Sequence, residues 1–467
     1  MSEATFLAAW MPHLMLAPIM LPLLSAAVML LLPEEKHRTK LVLNLGSTLL
    51  GLVITCALLV WAQQQGEPAT MGVYLPGNWP APFGIALALD RLSALMLVLT
   101  SAVGLAAALY GSARWYRAGV HYHPLFQFQL MGLSGAFLTA DLFNLFVFFE
   151  IMLAASYGLL LHGSGRARVQ AGLHFIAINL AASSLFLIGV SMLYGLTGTL
   201  NMADLAQSVA QVEEADRGLL HAAAGILATA FLIKAAVWPL NFWLVPAYGA
   251  ATAPVGAVFA IMTKVGVYII LRLSTLLFGV DAGASAHFGG TWLVVGGLLT
   301  LGFGAIGMLG SQRLAHLGGF AVIASSGTLL AATGLGQSGL TAGALYYLFS
   351  STLAASALFL LVDLVERWRN DGASTAAYAQ LGDAPYLSAD LEPLTEEDFE
   401  KDEDVLVGRA MPVRWPSWAW PSWPAPCWWR VCHRCPASSA SSPCSAPCSR
   451  PPTRRRLPRP TGPSWPC

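Results

Sequence analysis

The chain has 467 residues, of which 56% are hydrophobic and only 11% are charged, and its formal net charge is zero. This composition excludes an ordinary soluble protein and predicts one that is embedded in a lipid bilayer. Nucleic acid is not expected as a partner, because no basic stripe occurs outside the C-terminal tail.

Apolar segments long enough to cross a bilayer follow one another along most of the chain. They predict an all-α, polytopic membrane protein. The first segment has neither a basic start nor a small-residue cleavage pattern, so we expect it to be retained as a helix. The segment 201–220 is too polar to span and is expected to form a short helix on the outer surface. The eleven predicted membrane helices lie near 10–32, 41–61, 92–112, 125–140, 142–161, 169–194, 220–240, 251–275, 290–309, 314–334 and 342–366.

Positive charges in the connecting segments alternate along the chain. They cluster after odd-numbered helices, whereas the loops after even-numbered helices hold little more than Arg217. Loops rich in lysine and arginine stay in the cytoplasm, so the N-terminus is predicted to lie outside and residue 367 inside. The clustered charges are Lys36, Arg38, Lys40, Arg114, Arg117, Arg166, Arg168, Arg313, Arg367 and Arg369.

Two lysines lie inside apolar runs of the segment 231–272. An ionised side chain at the centre of a membrane helix costs about 2.5–3.5 kcal/mol, so Lys234 and Lys264 are expected to face a bundle interior or a hydrated path. Pro239 lacks an N–H group and should break the helix that carries Lys234. The backbone carbonyl that loses its partner is tolerated only in a cavity lined by protein. Lys264, Tyr268 and Arg272 are spaced four residues apart and form a polar stripe, in which Arg272 is expected to extend its charged end to the membrane surface.

Glu150 lies near the middle of the fifth predicted helix. A buried acid and a buried amine can exchange protons when small movements change which of them is charged, so the pattern favours a transport relay; structural pairing between helices is the alternative. Tyr157 shares the face of Glu150 and is a supporting candidate, with core packing as the other interpretation. Asp141 lies at a helix start and is a candidate N-cap. His174 is a weaker candidate for the relay and is otherwise a packed or headgroup-facing residue.

Three motifs carry a resemblance to a known family. The stretch 126–158, Lys234 with the following WPLNFWLVPAY, and MTKVGVYIILR around Lys264 occur in order and at matching spacing. Together they resemble the D subunit of the multisubunit Mrp-type cation/proton antiporters, also called Mnh or Pha. That family is similar to the antiporter-like membrane subunits of respiratory complex I, and the resemblance covers about residues 10–410.

The resemblance implies a fold, partners and residue roles. It implies fourteen helices with two inverted five-helix repeats, discontinuous at the seventh and twelfth helices. It also implies a bacterial cell-membrane complex with other antiporter subunits, in which Na⁺ or K⁺ is exchanged for protons. Glu150 would pair with Lys234, and Lys264 would continue the proton path. No enzymatic activity, cofactor or metal is implied.

Two positions depart from the wider pattern. Asn241 stands where complex I relatives usually have histidine, which favours the Mrp branch over the alternative of a proton-pumping subunit in an NADH:quinone oxidoreductase-type complex. Ser350 stands where many relatives have histidine, which puts a relay through that position in doubt. A third, non-transport interpretation treats the buried charges as contacts for assembly.

The sequence changes character at about Met411. Seven of the fifteen tryptophans and six of the seven cysteines fall in the last 57 residues. The CHRC motif of Cys432 and Cys435 suggests zinc, but the family pattern requires three further spanning helices here. Residues 431–449, read one nucleotide earlier, allow GLPPLSGFVGKFALLSALF, which resembles the family's twelfth helix, so we interpret the tail as the product of a frameshift.

Five regions are therefore expected. They are N-terminal membrane helices in 1–120, a proton-translocating bundle in 121–275, the start of a second inverted repeat in 276–370, an acidic cytoplasmic loop in 371–410, and an aberrant tail without fixed structure in 411–467.

Overall fold

The computed structural model describes residues 10–64, 72–113, 121–163 and 165–371. The predictions for the acidic loop beyond residue 371 and for the tail lie outside the described residues. In the described part the all-α, polytopic architecture is confirmed, with each of the eleven predicted membrane segments forming a helix. The α-helices are α1 (Ala17–Leu31), α2 (His37–Gln64), α3 (Arg91–Gly111), α4 (Tyr122–Leu138), α5 (Leu142–Leu161), α6 (Arg166–Thr197), α7 (Met202–Gln211), α8 (Arg217–Lys234), α9 (Leu244–Ala250), α10 (Ala253–Leu277), α11 (Gly290–Gly310), α12 (Leu314–Leu335) and α13 (Ser338–Asp371).

Nine helices in the described ranges are long and apolar enough to cross a membrane. Two further membrane segments, α1 and α4, are shorter, with 15 and 17 residues. Residues 10–14 are helical, and a turn at residues 15–16 separates them from α1, which has a proline in its first turn. A small antiparallel hairpin of β1 (Gly72–Tyr74) and β2 (Leu87–Leu89) joins α2 to α3.

Capping side chains fix two helix starts near one end of the bundle. Asp141 accepts a hydrogen bond from the backbone N–H of Asn144 and caps α5, as predicted. Asn201 caps α7 in the same way, accepting from the backbone of Ala203 and Asp204. The short helix predicted in 201–220 is therefore confirmed, and α7 covers its first half.

Helix α10 forms the centre of the described bundle. It packs against α3, α8, α12 and α13, and the whole of its membrane-length apolar window is buried inside the protein. A helix that is apolar all round is expected in such a position. Lys264, near the middle of α10, is thereby held away from lipid.

Arg272 forms an ion pair at the start of α3. Its guanidinium donates hydrogen bonds to both carboxylate oxygens of Asp90, each at 2.8 Å, and its side chain is only 14% exposed. Asp90 also caps α3 by accepting from the backbone N–H of Ser93. The capping carboxylate of Asp90 places a hydrogen-bond acceptor within reach of α10. The positive charge of Arg272 is therefore paired with a negative one at this position.

Candidate functional site

The helix that carries Lys234 breaks immediately after it. Helix α8 ends at Lys234, and Ala236 adopts a left-handed backbone conformation with φ of 54°. The break therefore begins four residues before Pro239, because that proline has no N–H group to donate to the carbonyl of Ala235 in the preceding turn. Helical structure resumes in α9. The discontinuous seventh membrane helix is thus confirmed.

Protein groups satisfy the backbone of this break. The indole N–H of Trp243 donates to the carbonyl of Ile233 at 3.1 Å, and the backbone N–H of Val237 donates to that of Leu232 at 3.0 Å. The backbone N–H of Trp238 donates to Thr300 Oγ1 at 3.0 Å. Irregular backbone at membrane depth is stable only where protein or water satisfies it, so the break belongs to an internal polar region.

Lys234 is buried at the edge of this break. Only 5% of the residue is exposed, and among the described residues its Nζ atom has no hydrogen-bond partner. The ammonium lies 4.8 Å from the centre of the Phe149 ring, a cation–π contact. It also interacts electrostatically with Glu150, the next residue of α5, although within the described chain the two form no direct ion pair.

Glu150 is bound by a side chain of the neighbouring helix α6. Ser183 of α6 donates a hydrogen bond from Oγ to Glu150 Oε1 at 2.5 Å. This hydrogen bond holds the Glu150 carboxyl group on the side of α5 that adjoins α6. The sequence analysis missed Ser183, because a serine in a membrane helix carries no signal of its own.

Lys264 is bound by hydroxyl groups of α12. The residue is completely buried, and its Nζ atom donates to Ser325 Oγ at 2.7 Å, to Ser326 Oγ at 3.2 Å and to the Val322 carbonyl at 3.4 Å. Its three hydrogens therefore meet neutral acceptors. No carboxylate from the described residues pairs with it.

A hydroxyl chain extends from Lys264 to the last described helix. Ser325 donates to Ser351 Oγ of α13 at 2.9 Å. Ser350, the position compared with histidine in relatives, is instead exposed and donates to the carbonyl of Tyr347 in its own helix at 3.3 Å. The contact toward α13 is thus made one residue later than the sequence comparison suggested.

The two lysine-bearing helices touch beside both lysines. A Cβ atom added to Gly266 of α10 would lie 2.9 Å from the backbone nitrogen of Ala235 and 3.0 Å from the carbonyl oxygen of Phe231. Only glycine allows so close an approach. The end of α8 that carries Lys234 therefore rests against the turn of α10 that follows Lys264.

The supporting candidates Tyr268, Tyr157 and His174 differ in how close they lie to the charged residues. The Tyr268 hydroxyl donates to the Phe137 carbonyl at 2.9 Å and ties α10 to α4. Tyr157 packs edge-on against Phe175 and lies within electrostatic reach of Glu150. His174 is exposed, and its ring nitrogen contacts the carbonyl of Gln170 in its own helix. The structure thus places Tyr157 near the charged cluster and leaves His174 outside it.

Comparisons with known proteins show the family to which the chain belongs. The family described as NADH:quinone oxidoreductase/Mrp antiporter, TM, matches residues 139–388. A protein of Rhizobium meliloti (strain 1021), named as the probable D subunit of a K(+)/H(+) antiporter, is 55% identical over 404 residues, covering 86% of this chain and 73% of the relative. The D subunit of the Na(+)/H(+) antiporter of Alkalihalophilus pseudofirmus is 35% identical over 361 residues, covering 76% of this chain and 71% of the relative.

A solved structure is also similar to this chain. In the structure of the Mrp complex from Dietzia sp. DQ12-45-1b, one chain is 30% identical with a TM-score of 0.68, over 75% of this chain. The match covers 63% of that chain, so the present chain spans less than two thirds of it.

Proposed function

Because the chain belongs to the NADH:quinone oxidoreductase/Mrp antiporter family of membrane proteins, we propose that it is the proton-translocating D subunit of a multisubunit antiporter exchanging Na⁺ or K⁺ for protons. The relatives named as D subunits of antiporters support this assignment. The observation that carries it is the buried Lys234, which lacks a hydrogen-bond partner in the described part, at the end of a broken helix beside Glu150.

The proposed relay uses three side chains within the bundle of 121–275. Glu150 stabilises the charged form of Lys234 electrostatically. When the two separate, the Lys234 ammonium keeps the Phe149 ring as its contact among the described residues, and its proton moves through water toward Lys264. Lys264 holds that proton with the serine hydroxyls of α12. Each transfer moves one proton between groups of the chain, and the charge follows it.

Conservative substitutions test the relay more sharply than truncations. Arginine keeps the positive charge but cannot give up its proton in a protein. Lys234→Arg should therefore abolish exchange if Lys234 transfers protons. If Lys234 only pairs with a negative charge for structural reasons, the variant should still exchange. Glu150→Gln keeps a partner for Ser183 but cannot change its charge, and it should act in the same way. Lys40→Arg is the matched control, because Lys40 is a buried lysine of α2, outside the relay helices.

The assay is cation-dependent dissipation of a pH gradient in everted membrane vesicles that contain the chain with its partner subunits. Co-purification of those subunits checks assembly. Exchange near the wild-type rate in Lys234→Arg would refute the relay. Loss of partner binding in Glu150→Gln before any loss of exchange would favour the assembly interpretation.

A second candidate function is a proton-pumping subunit of an NADH:quinone oxidoreductase-type complex, which the family description also includes. The relatives named as antiporter components favour the first candidate. Exchange by vesicles that contain no quinone oxidoreductase activity would decide between the two.

We also propose that the chain resides in the bacterial cell membrane with its N-terminus outside, on the strength of the alternating loop charges. Glu35 and Glu214 are both exposed, in loops predicted to face opposite sides. In a chain freed of its own cysteines, Glu214→Cys should react with an impermeant maleimide added outside intact cells and Glu35→Cys should not. The reverse labelling would overturn the orientation.

A further inference from the structure

Arg168 joins the ends of two helices on the predicted cytoplasmic side of the bundle. Its Nε atom donates a hydrogen bond to the carbonyl of Ala250 at 2.9 Å, and its Nη1 atom donates to the carbonyl of His162 at 3.1 Å. Ala250 is the last residue of α9, and His162 occupies the C-cap position of α5. Carbonyls at a helix C-terminus lack a donor within their own helix, so one guanidinium satisfies such a carbonyl in each of two helices.

The place of Arg168 in its own helix does not account for it. Arg168 lies in the first turn of α6, which begins at Arg166, and a positive charge is unfavourable at the positive end of a helix dipole. The hydrogen bonds bring the guanidinium to the negative ends of α5 and α9, where a positive charge is stabilising. Arg166 is exposed and supplies a positive charge to the same loop. Arg168 is therefore explained by its contacts with α5 and α9.

Helix α9 depends on its neighbours for its position. It has seven residues, and so short a helix is not stable on its own. It packs against α6 and α12. The contact with α12 is close, because a Cβ atom added to Gly249 would lie 2.7 Å from Cδ2 of the His316 ring. Toward α5 and α6, the hydrogen bond from Arg168 secures the last residue of the helix.

Trp243 connects the position of α9 to the lysine at the helix break. It immediately precedes α9, and its indole N–H donates to the carbonyl of Ile233, the residue before Lys234. Its ring also packs against Phe175 of α6, with the ring centroids 5.4 Å apart. Helix α6 therefore contacts both ends of this segment, with Phe175 at its start and Arg168 at its end.

We propose that Arg168 is a positioning residue for proton exchange, a role that rests on the proposed relay. Arg168 fixes the end of α9 relative to α5 and α6, the helices that carry Glu150 and Ser183. Through Trp243 the same contact holds the end of α8 that carries Lys234. The donors of a guanidinium lie in a rigid plane, so two helix ends bonded to one guanidinium keep a constant spacing. Arg168 acts through these backbone carbonyls and transfers no proton itself, since arginine stays charged in a protein.

The first test is cation-dependent proton exchange in everted vesicles that contain the chain with its partner subunits, expressed per assembled complex. Arg168→Gln removes the charge and the planar set of donors, whereas Arg168→Lys keeps the charge on a flexible side chain. Both should lower the maximal rate, Arg168→Gln by at least about tenfold, because a misplacement of about 1 Å can cost a hundredfold. The cation concentration for half-maximal exchange should stay the same. Arg166→Gln is the matched control, because it removes the same charge from the same loop.

Three results of this assay would overturn the positioning role. Equal rates in Arg168→Gln and Arg166→Gln would show that the contact is not needed. A wild-type rate in Arg168→Lys would show that only the charge is needed. A rise in the half-maximal cation concentration at an unchanged maximal rate would show an effect on cation binding instead.

A second measurement reports the position of α9 without requiring exchange. In a chain freed of its own cysteines, Ala250→Cys keeps the backbone carbonyl that Arg168 binds and places a thiol at the half-buried end of α9. A maleimide added to everted vesicles should react with this thiol severalfold faster in combination with Arg168→Gln than in combination with Arg166→Gln. Equal labelling rates would overturn the proposal even if Lys234→Arg abolishes exchange. Faster labelling together with normal exchange by Lys234→Arg would support the hold of Arg168 on α9 and refute the relay, so the two failures give different results.

Discussion

The contact between the two lysine-bearing helices gives the sharpest prediction about the relay. Gly266→Ala would place a methyl group 2.9 Å from the Ala235 backbone nitrogen, against an ordinary contact of about 3.4 Å. The end of α8 must then move by about 0.5 Å, because the opposing atoms are backbone and cannot rotate away. Overpacking of this kind costs about 1–3 kcal/mol.

The displacement acts directly on the proposed proton path. Lys234 immediately precedes Ala235, so moving the end of α8 changes its position relative to Lys264. A misplacement of about 1 Å can cost a hundredfold in rate, and half of that predicts a loss of about tenfold. Assembly should persist, because the apolar window of α10 is buried within its own chain.

The control lies in the same helix. A Cβ atom added to Gly256 would meet the ring of Phe359 at 3.2 Å, and a side chain can rotate to accommodate it. Cation-dependent proton exchange in vesicles should therefore fall about tenfold in Gly266→Ala and stay near the wild-type rate in Gly256→Ala. Equal exchange by the two variants, with equal amounts of assembled complex, would refute the reasoning.

Two further predictions concern single contacts. Ser351→Ala should reduce exchange severalfold, because Ser351 extends the row of hydroxyl groups from Lys264. Ser350 is exposed, so Ser350→Ala should leave exchange unchanged. Vesicle assays that rank the two variants in the opposite order would exclude this row of hydroxyl groups as a proton path. Arg272→Gln should lower the stability of the folded chain by about 2 kcal/mol, because hydrogen bonds to a charged group contribute about 1.5–3 kcal/mol. A thermal midpoint no lower than that of the exposed Arg313→Gln would contradict it.

Much of the fold and the family could be predicted from sequence. Apolar runs long enough to span a bilayer are a strong signal, and all eleven predicted helices form. Lys234, Lys264 and Glu150 stood out because ionisable residues are rare in such runs. Three motifs around them were enough to indicate a family, and the match over 139–388 confirms it.

The remainder depended on tertiary contacts. Ser183, Ser325 and Ser351 are ordinary residues of membrane helices until the helices are packed, so no local pattern identifies them. The helix break could be predicted from Pro239, and it begins at Ala235, because a proline leaves the carbonyl four residues before it without a donor. The ion pair of Arg272 could not be predicted, because its partner, Asp90, lies 182 positions away along the chain.

The burial of the apolar window of α10 has a consequence for how Lys264 responds to the membrane. A lysine on a lipid-facing helix extends its side chain to the membrane interface, so its contribution to stability varies with bilayer thickness and headgroup charge. Lys264 has no such route, because it is completely buried and the apolar window of its helix is covered by other parts of the chain. Its behaviour should accordingly be the same in thin and thick bilayers, and in neutral and anionic ones.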